Sequence, residues 1–336
     1  MKALKDQKYI IERLTALWAL NESGLGGFMH ALSLSFTGIL VGGISIISIS
    51  LIAYFSKSIF KDVIKALTIV LLIKLAVSPH SPLTAYVAVM FQALSGILLF
   101  TLFSFNKITY IIFGIITFTE SAIQKILVLT LIYGISFWDA INIYGKWVTD
   151  ALSFISNVTA SKLVIGTFIF VYAFLGVLFG FYIYSLIKRI NQIELIEKYQ
   201  LSVEKYQETH LKKKSKQFRR LLFWLVTIAL IIISFTQLED DLFGWGKAFY
   251  IIIRSIMVLF IWIFIVSPLL MRLLKFLLKK KKSSYQVEVD RALALFPYLK
   301  TIVVFSWKES KNARGIRRIS EFVTNCILYS MFFKAE

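Results

Sequence analysis

Cysteine is nearly absent from this chain: Cys326 stands alone among 336 residues. That excludes a disulfide framework within the chain and a cysteine-based structural zinc site. Acidic residues are also scarce, with 19 Asp and Glu against 38 Lys and Arg, a formal net charge of +19. Histidine occurs three times, as His30, His80 and His210, far apart in sequence. Clustered metal ligands are therefore not expected. His30 and His80 could converge, but a satisfied or solvated histidine is the plainer reading. No glycine-rich loop of the kind that cradles phosphates is present. Gly244-Trp245-Gly246-Lys247 is followed by Ala248, where such a loop needs Ser or Thr. Glu239-Asp240-Asp241 has no second acidic motif to complete a diphosphate–magnesium site. No cofactor and no enzymatic activity are expected. An enzyme acting on a lipid-linked substrate ranks last among the readings.

What the chain has in abundance is apolar surface. Hydrophobic residues make up 58%, charged residues only 17%, and the mean hydropathy is +0.74. A soluble domain could not hide that much apolar surface. The fold class expected is all-α: a polytopic, multi-pass membrane protein of about eight transmembrane helices plus amphipathic cytoplasmic helices. A helix needs ~20 apolar residues to cross the hydrocarbon core. Candidate spans run over 34–55, 63–78, 83–105, 107–118, 119–136, 163–187, 220–236 and 248–272. The second carries Lys65 and Lys74, and the fourth is too short to span comfortably, so it is either tilted or joined to the fifth. Residues 9–20 have Ile10, Leu14, Leu17 and Leu20 at helical spacing and read as an amphipathic helix on the membrane surface. A cleavable signal peptide is not expected.

Lysine and arginine asymmetry sets the orientation. Segments 188–220 and 272–282 are strongly basic, and the loop 237–246 between them is acidic. This places 188–220 and 272–336 in the cytoplasm, with the C-terminus, in a cytoplasmic (inner) membrane. Five crossings before residue 137 would then leave Lys57 and Lys61 outside, against the rule. The basic clusters flank spans, so topology and anionic membrane lipid explain them better than nucleic acid does.

Two parts differ in character: 1–160, an array of short-linked spans, and 161–336, with longer spans and cytoplasmic elements. In 190–210, Ile196, Tyr199, Val203 and Tyr206 form one apolar stripe that needs a partner. Pro268 predicts a kink and Pro297 the start of a helix. A last amphipathic helix carries Ile316, Ile319, Val323, Cys326 and Ile327 on one face. Gly38/Gly42 and Gly176/Gly180 permit close helix approach, with packing the first reading. Ser78-Pro79-His80-Ser81-Pro82 is a rigid turn between spans. Phe137, Trp138, Tyr144 and Trp147 suggest an interfacial helix or a lid.

Ionisable and amide groups inside spans are costly, so each marks a candidate site. Glu120 and Gln124 share a helix face, with Lys125 beside them; Lys74 and Gln92 lie in neighbouring spans. They either line a polar substrate pocket, with Glu120 paired to Lys74 or Lys125, or sit at the membrane boundary, where Glu120 and Lys125 reach water.

The first part resembles the substrate-binding component of energy-coupling factor (ECF) vitamin transporters. The likeness lies in a Gly-rich first span (Gly38, Gly42, Gly43) and in the Ser78–Pro82 turn. A small-residue span with Ala85, Ala88, Ala93 and Gly96 follows. The second part resembles the transmembrane coupling component of the same machines, through Glu309-Ser310-Lys311-Asn312-Ala313-Arg314-Gly315-Ile316-Arg317-Arg318. That family usually carries two such Ala-Arg-Gly motifs and more spans than the second part here. The resemblance implies a transport component that binds a small solute or vitamin and couples to separate ATPase subunits. Ala313, Arg314 and Gly315 would be the partner-coupling residues, with Arg314 docking into an acidic groove and Gly315 ending the helix. The alternative is a scaffold or accessory subunit of a larger membrane complex that transports nothing.

Overall fold

The structure, a computed structural model, describes residues 2–31, 37–78, 81–151, 159–191, 199, 253 and 256–333. All secondary structure among them is helical. Helix α1 is Lys2–Leu20; a π-helical turn, Asn21–Leu25, joins it to α2, Gly26–Ala31. Then come α3 (Thr37–Phe55), α4 (Ile59–Val77), α5 (Leu83–Leu102), α6 (Lys107–Tyr133), α7 (Ile135–Ala151) and α8 (Ala160–Ile190). A second π-helical turn, Trp262–Val266, leads into α9, Ser267–Glu309. A short 3-10 turn, Ser310–Asn312, precedes α10, Gly315–Phe332.

Among the described residues, five helical stretches are long and apolar enough to cross a membrane: Gly38–Phe55, Leu83–Leu102, Lys107–Tyr133, Ala160–Ile190 and Ile256–Leu278. The expected spans 107–118 and 119–136 are one helix, α6. Its start is capped by Asn106, whose side chain accepts from the Thr109 N–H at 2.9 Å, and Gly134 ends it at φ 75°. Glu120 therefore sits mid-helix rather than at a boundary between two spans. The expected span 63–78 is α4, which carries Lys61, Asp62, Lys65 and Lys74 and falls outside the five. The expected span 220–236 and most of 190–210 lie outside the described residues.

The N-terminal segment does not lie on a surface. Leu14, Ala16, Trp18 and Ala19 are fully buried, and α1 packs between α3, α4, α9 and α10. From Leu14 to Ala19 its residues are buried, so the amphipathic spacing of this part reads the core instead of the lipid boundary. Its Arg13 donates to the Met331 carbonyl at 3.0 Å, and farther along, Glu22 reaches the far end of α4. The segment α1–α2 thus runs the length of the bundle.

This pass changes where the early lysines lie. Tyr54, near the end of α3, donates to Asn191 after α8 at 3.0 Å. Lys65 on α4 pairs with Glu288 on α9 at 2.8 Å, and Lys107 lies 4.5 Å from the centre of the Phe181 ring. The α3–α4 turn with Lys57, the α5–α6 turn and the end of α8 with Lys188 and Arg189 therefore share one end of the bundle with α10. Lys57 and Lys61 belong to this basic end, not to the opposite one.

Helix α9 continues through Pro297, where a new helix was expected. Proline removes one backbone donor, but the flanking turns of this 43-residue helix hold it in line. Leu299 and Ile302 bury themselves on the same face as Val289 and Ala292. The kink expected at Pro268 coincides with the π-helical turn immediately before it. Tyr199, from the expected apolar stripe, is buried on α10, donating to Asn325 at 3.2 Å and meeting the Tyr329 ring edge-on. Cys326 is buried in α10, and burial pushes its thiol up to about 12, which makes it an inert core residue.

Helices α6 and α8 are in backbone contact along glycine. A Cβ on Gly114 would strike the Gly176 carbonyl, and one on Gly180 would fall 2.5 Å from Ile111 Cα. The Gly176/Gly180 pair is thus a packing device, with Gly114 as its partner. Helix α7 covers the start of α8: Asn142 accepts from the Ser161 N–H at 2.8 Å, and Trp138 donates to Thr130 at 2.9 Å. It is a packed helix more than a free lid. Gly176→Val is expected to force α6 and α8 apart. It should destabilise the protein by about 1–3 kcal/mol or more, read as a lower thermal unfolding midpoint in detergent, with Gly166→Val, where nothing is close, as the neutral control.

Candidate functional site

The polar groups inside the bundle collect where α1 ends. The π-helical turn widens the helix there: the Gly26 N–H donates to the Asn21 carbonyl, one residue farther back than in an α-helix. The extra residue turns Asn21, Glu22 and Ser23 inward together, and all three are buried. Lys74, in the last turn of α4, is fully buried and places its Nζ 2.6 Å from Glu22 Oε2. Ser45 on α3 donates to Glu22 Oε1 at 2.6 Å. Asn21 donates to the Val41 carbonyl at 2.8 Å and to Ser45 at 3.1 Å. The Tyr86 ring of α5 faces the Lys74 ammonium, 5.4 Å from the ring centre.

Each charge in this cluster depends on the other. A lone carboxylate or ammonium taken from water into such an interior costs several kcal/mol. Pairing at 2.6 Å, with Ser45 on the second carboxylate oxygen, offsets that cost. Other bonding capacity in this region is unmet. Asn21 Oδ1, Tyr86 Oη and Gln92 Oε1 are buried with no hydrogen-bond partner among the described residues. Gln92 is packed against Gly42 of α3, whose Cβ would lie 3.2 Å from the Gln92 amide nitrogen. Gly42 is one residue beyond Val41, the acceptor of Asn21.

Of the four pocket residues read from the sequence, Lys74 and Gln92 belong to this cluster. Glu120 and Gln124 lie farther along α6. Gln124 donates to the Thr84 carbonyl of α5 at 3.0 Å, and Glu120 Oε2 is buried with no partner among the described residues. The expected pairing of Glu120 with Lys74 is corrected: the partner of Lys74 is Glu22. Lys125 donates to the Tyr172 hydroxyl of α8 at 2.9 Å. Glu22 carries no sequence motif. The signal that marks it is a single carboxylate inside the Asn21–Gly27 stretch, between two apolar helical runs. That signal becomes legible once residues 9–31 are taken as interior.

Ala313, Arg314 and Gly315 form the turn between α9 and α10. Ala313 and Arg314 are extended, Arg314 occupies the N-cap position of α10, and Gly315 takes φ 57°. Gly315 thus opens a helix instead of ending one, at a backbone conformation that side chains resist. Arg314 is exposed, flanked by exposed Lys311 and Arg317, while Arg318 stacks on Trp307 at 4.3 Å. His80, His210, Glu239–Asp241 and Gly244–Ala248 lie outside the described residues.

Lys74→Met is expected to strand Glu22 and destabilise the protein by about 3–5 kcal/mol. The double variant Glu22→Leu/Lys74→Met should recover most of that loss, because it removes both charges. Thermal unfolding of the wild type, both single variants and the double variant measures the coupling as a cycle. A search of family models, curated proteins and solved structures finds no match to this chain, and its function is read from geometry.

Proposed function

We propose that the chain is a non-enzymatic transport component of the cytoplasmic (inner) membrane that binds a small polar solute at the Glu22–Lys74 cluster. One observation carries this reading: a buried ion pair beside buried Asn21, Tyr86 and Gln92 atoms that have no protein partner. Ionisable groups inside a membrane bundle are expensive to keep and typically mark a solute or ion site. The set offers an ammonium, a carboxylate, an amide oxygen and a phenol, which suits a solute carrying both donors and acceptors. The site lies toward the end of the bundle remote from Lys57, Lys188 and Arg189. By lysine and arginine asymmetry, the basic end and the C-terminus face the cytoplasm, so the site is nearer the outer side.

In this reading the α9–α10 turn docks the separate ATPase subunits implied by the ECF resemblance. Exposed Arg314, with Lys311 and Arg317 alongside, supports it, since a guanidinium binds a carboxylate groove through paired hydrogen bonds. The second reading, a scaffold without solute, is favoured by the backbone contact of α6 and α8, which leaves no room between those helices.

Two measurements separate the readings. Thermal unfolding of the detergent-purified protein against a panel of small polar solutes and vitamins should show one class that raises the midpoint. Tyr86→Phe and Gln92→Leu, which remove unpartnered polar atoms, should keep stability within about 1 kcal/mol while losing that response. A panel with no effect on the wild type favours the scaffold. For coupling, Arg314→Glu should cut copurification of an ATPase from native membranes more than about tenfold, the scale of reversing a docking charge.

A further inference from the structure

At the basic end, α1, the start of α4 and the outer part of α9 enclose a cavity of about 480 Å³. It is separate from the Glu22–Lys74 cluster, and its chemistry differs. Its floor is apolar: Ile11, Phe55, Ala66, Ile69 and Leu295. Its rim holds five cations, Lys8, Lys57, Lys61, Lys65 and Arg291, against three carboxylates, Glu12, Asp62 and Glu288.

The carboxylates are already engaged. Glu288 accepts from Lys65 at 2.8 Å, and that bond holds its carboxyl below the usual range despite partial burial. Asp62 accepts from the Ser56 hydroxyl. Glu12 lies 3.8 Å from Arg291. Lys8, Lys57 and Lys61 have no ion-pair partner among the described residues. The first turn of α4 also lines the cavity through Ser58, Lys61 and Asp62, and the Ser58 side chain caps none of its N–H groups. A helix start presents partial positive charge and free donors, an arrangement that favours phosphate. Beside the rim, Tyr9 is 59% exposed, a residue type that settles at the headgroup level of a bilayer.

We propose that this cavity binds a phosphate group carried by an anionic phospholipid, with the phosphate among Lys8, Lys57, Lys61 and the start of α4 and the glycerol end against the apolar floor. The occupant bridges α1 and α4 to α9, so it fastens the N-terminal helices to the helix that leads to Arg314. The proposal does not depend on the solute site.

The test is thermal unfolding of the full-length protein in neutral detergent, titrated with phosphatidylglycerol, phosphatidylcholine or inorganic phosphate. Phosphatidylglycerol should raise the midpoint and phosphatidylcholine should not. Lys57→Glu/Lys61→Glu should weaken the phosphatidylglycerol effect roughly tenfold or more, since each surface lysine contributes about one kcal/mol toward an anionic headgroup. Lys162→Glu, at the exposed start of α8 on the opposite end of the bundle, should leave it unchanged. Protection by inorganic phosphate alone, equal to that by phosphatidylglycerol, would uphold the phosphate site but overturn the lipid as its occupant. An equal response to both lipids, or full retention in the double variant, overturns the proposal. If the double variant does not fold, Lys57→Gln and Lys61→Gln are compared by native mass spectrometry, where a loss of bound phosphatidylglycerol is expected and an unchanged count overturns the site.

Discussion

A charge inside an apolar bundle has to be neutralised where it stands, because no water is at hand to do it. Lys74 sits in a stretch, Ile69–Val77, that is otherwise Leu, Ile, Val and Ala. Its partner comes from a different segment, 52 residues away in sequence. To deliver Glu22, the N-terminal segment must pass through the middle of the bundle and open a π-helical turn at the right depth. The burial of Trp18, the Asn21 and Ser45 hydrogen bonds and the position of α3 all follow from that placement. Replacing such a pair with apolar residues is often neutral or stabilising. A pair of this kind is therefore poorly explained by stability, which is why it anchors the proposed solute site.

The same pass organises charge on a larger scale. With α1–α2 running the length of the bundle, the lysines at 57 and 61 come to the end that also holds Lys188, Arg189 and Arg291. One end of the described bundle then gathers these basic residues. Helix α9 is the other organiser. It leaves the apolar stretch Ile256–Leu278 and continues without a break as a packed arm over α1 and α4. The Glu22–Lys74 cluster, the cavity at the basic end and the Arg314 turn are thus linked by two long helices.

Much of the fold was legible in the chain. Apolar runs of membrane length located α3, α5 and α8 and marked α6 as two runs, and glycine spacing located the close approach of α8. The sidedness of α1 was not legible. Ile10, Leu14 and Leu17 have the same spacing whether they face lipid, a membrane surface or a core, because periodicity reports a face and not its partner. Pro297 misled for a similar reason: proline suits a helix start, but a long helix with packed neighbours tolerates the missing bond. At the site, Lys74 and Gln92 stood out because polar groups are conspicuous in apolar spans. Glu22 did not, since its segment reads as a polar turn until α1 is known to be inside.

The sequence by itself marked a membrane-type chain with basic segments flanking its apolar runs, because 58% apolar residues leave a soluble domain too little polar surface and the +19 charge falls between those runs. Only the tertiary structure decided which polar residues meet. Buried charges must pair in space, and the pairing of Glu22 with Lys74 depends on a crossing of helices that no local pattern encodes.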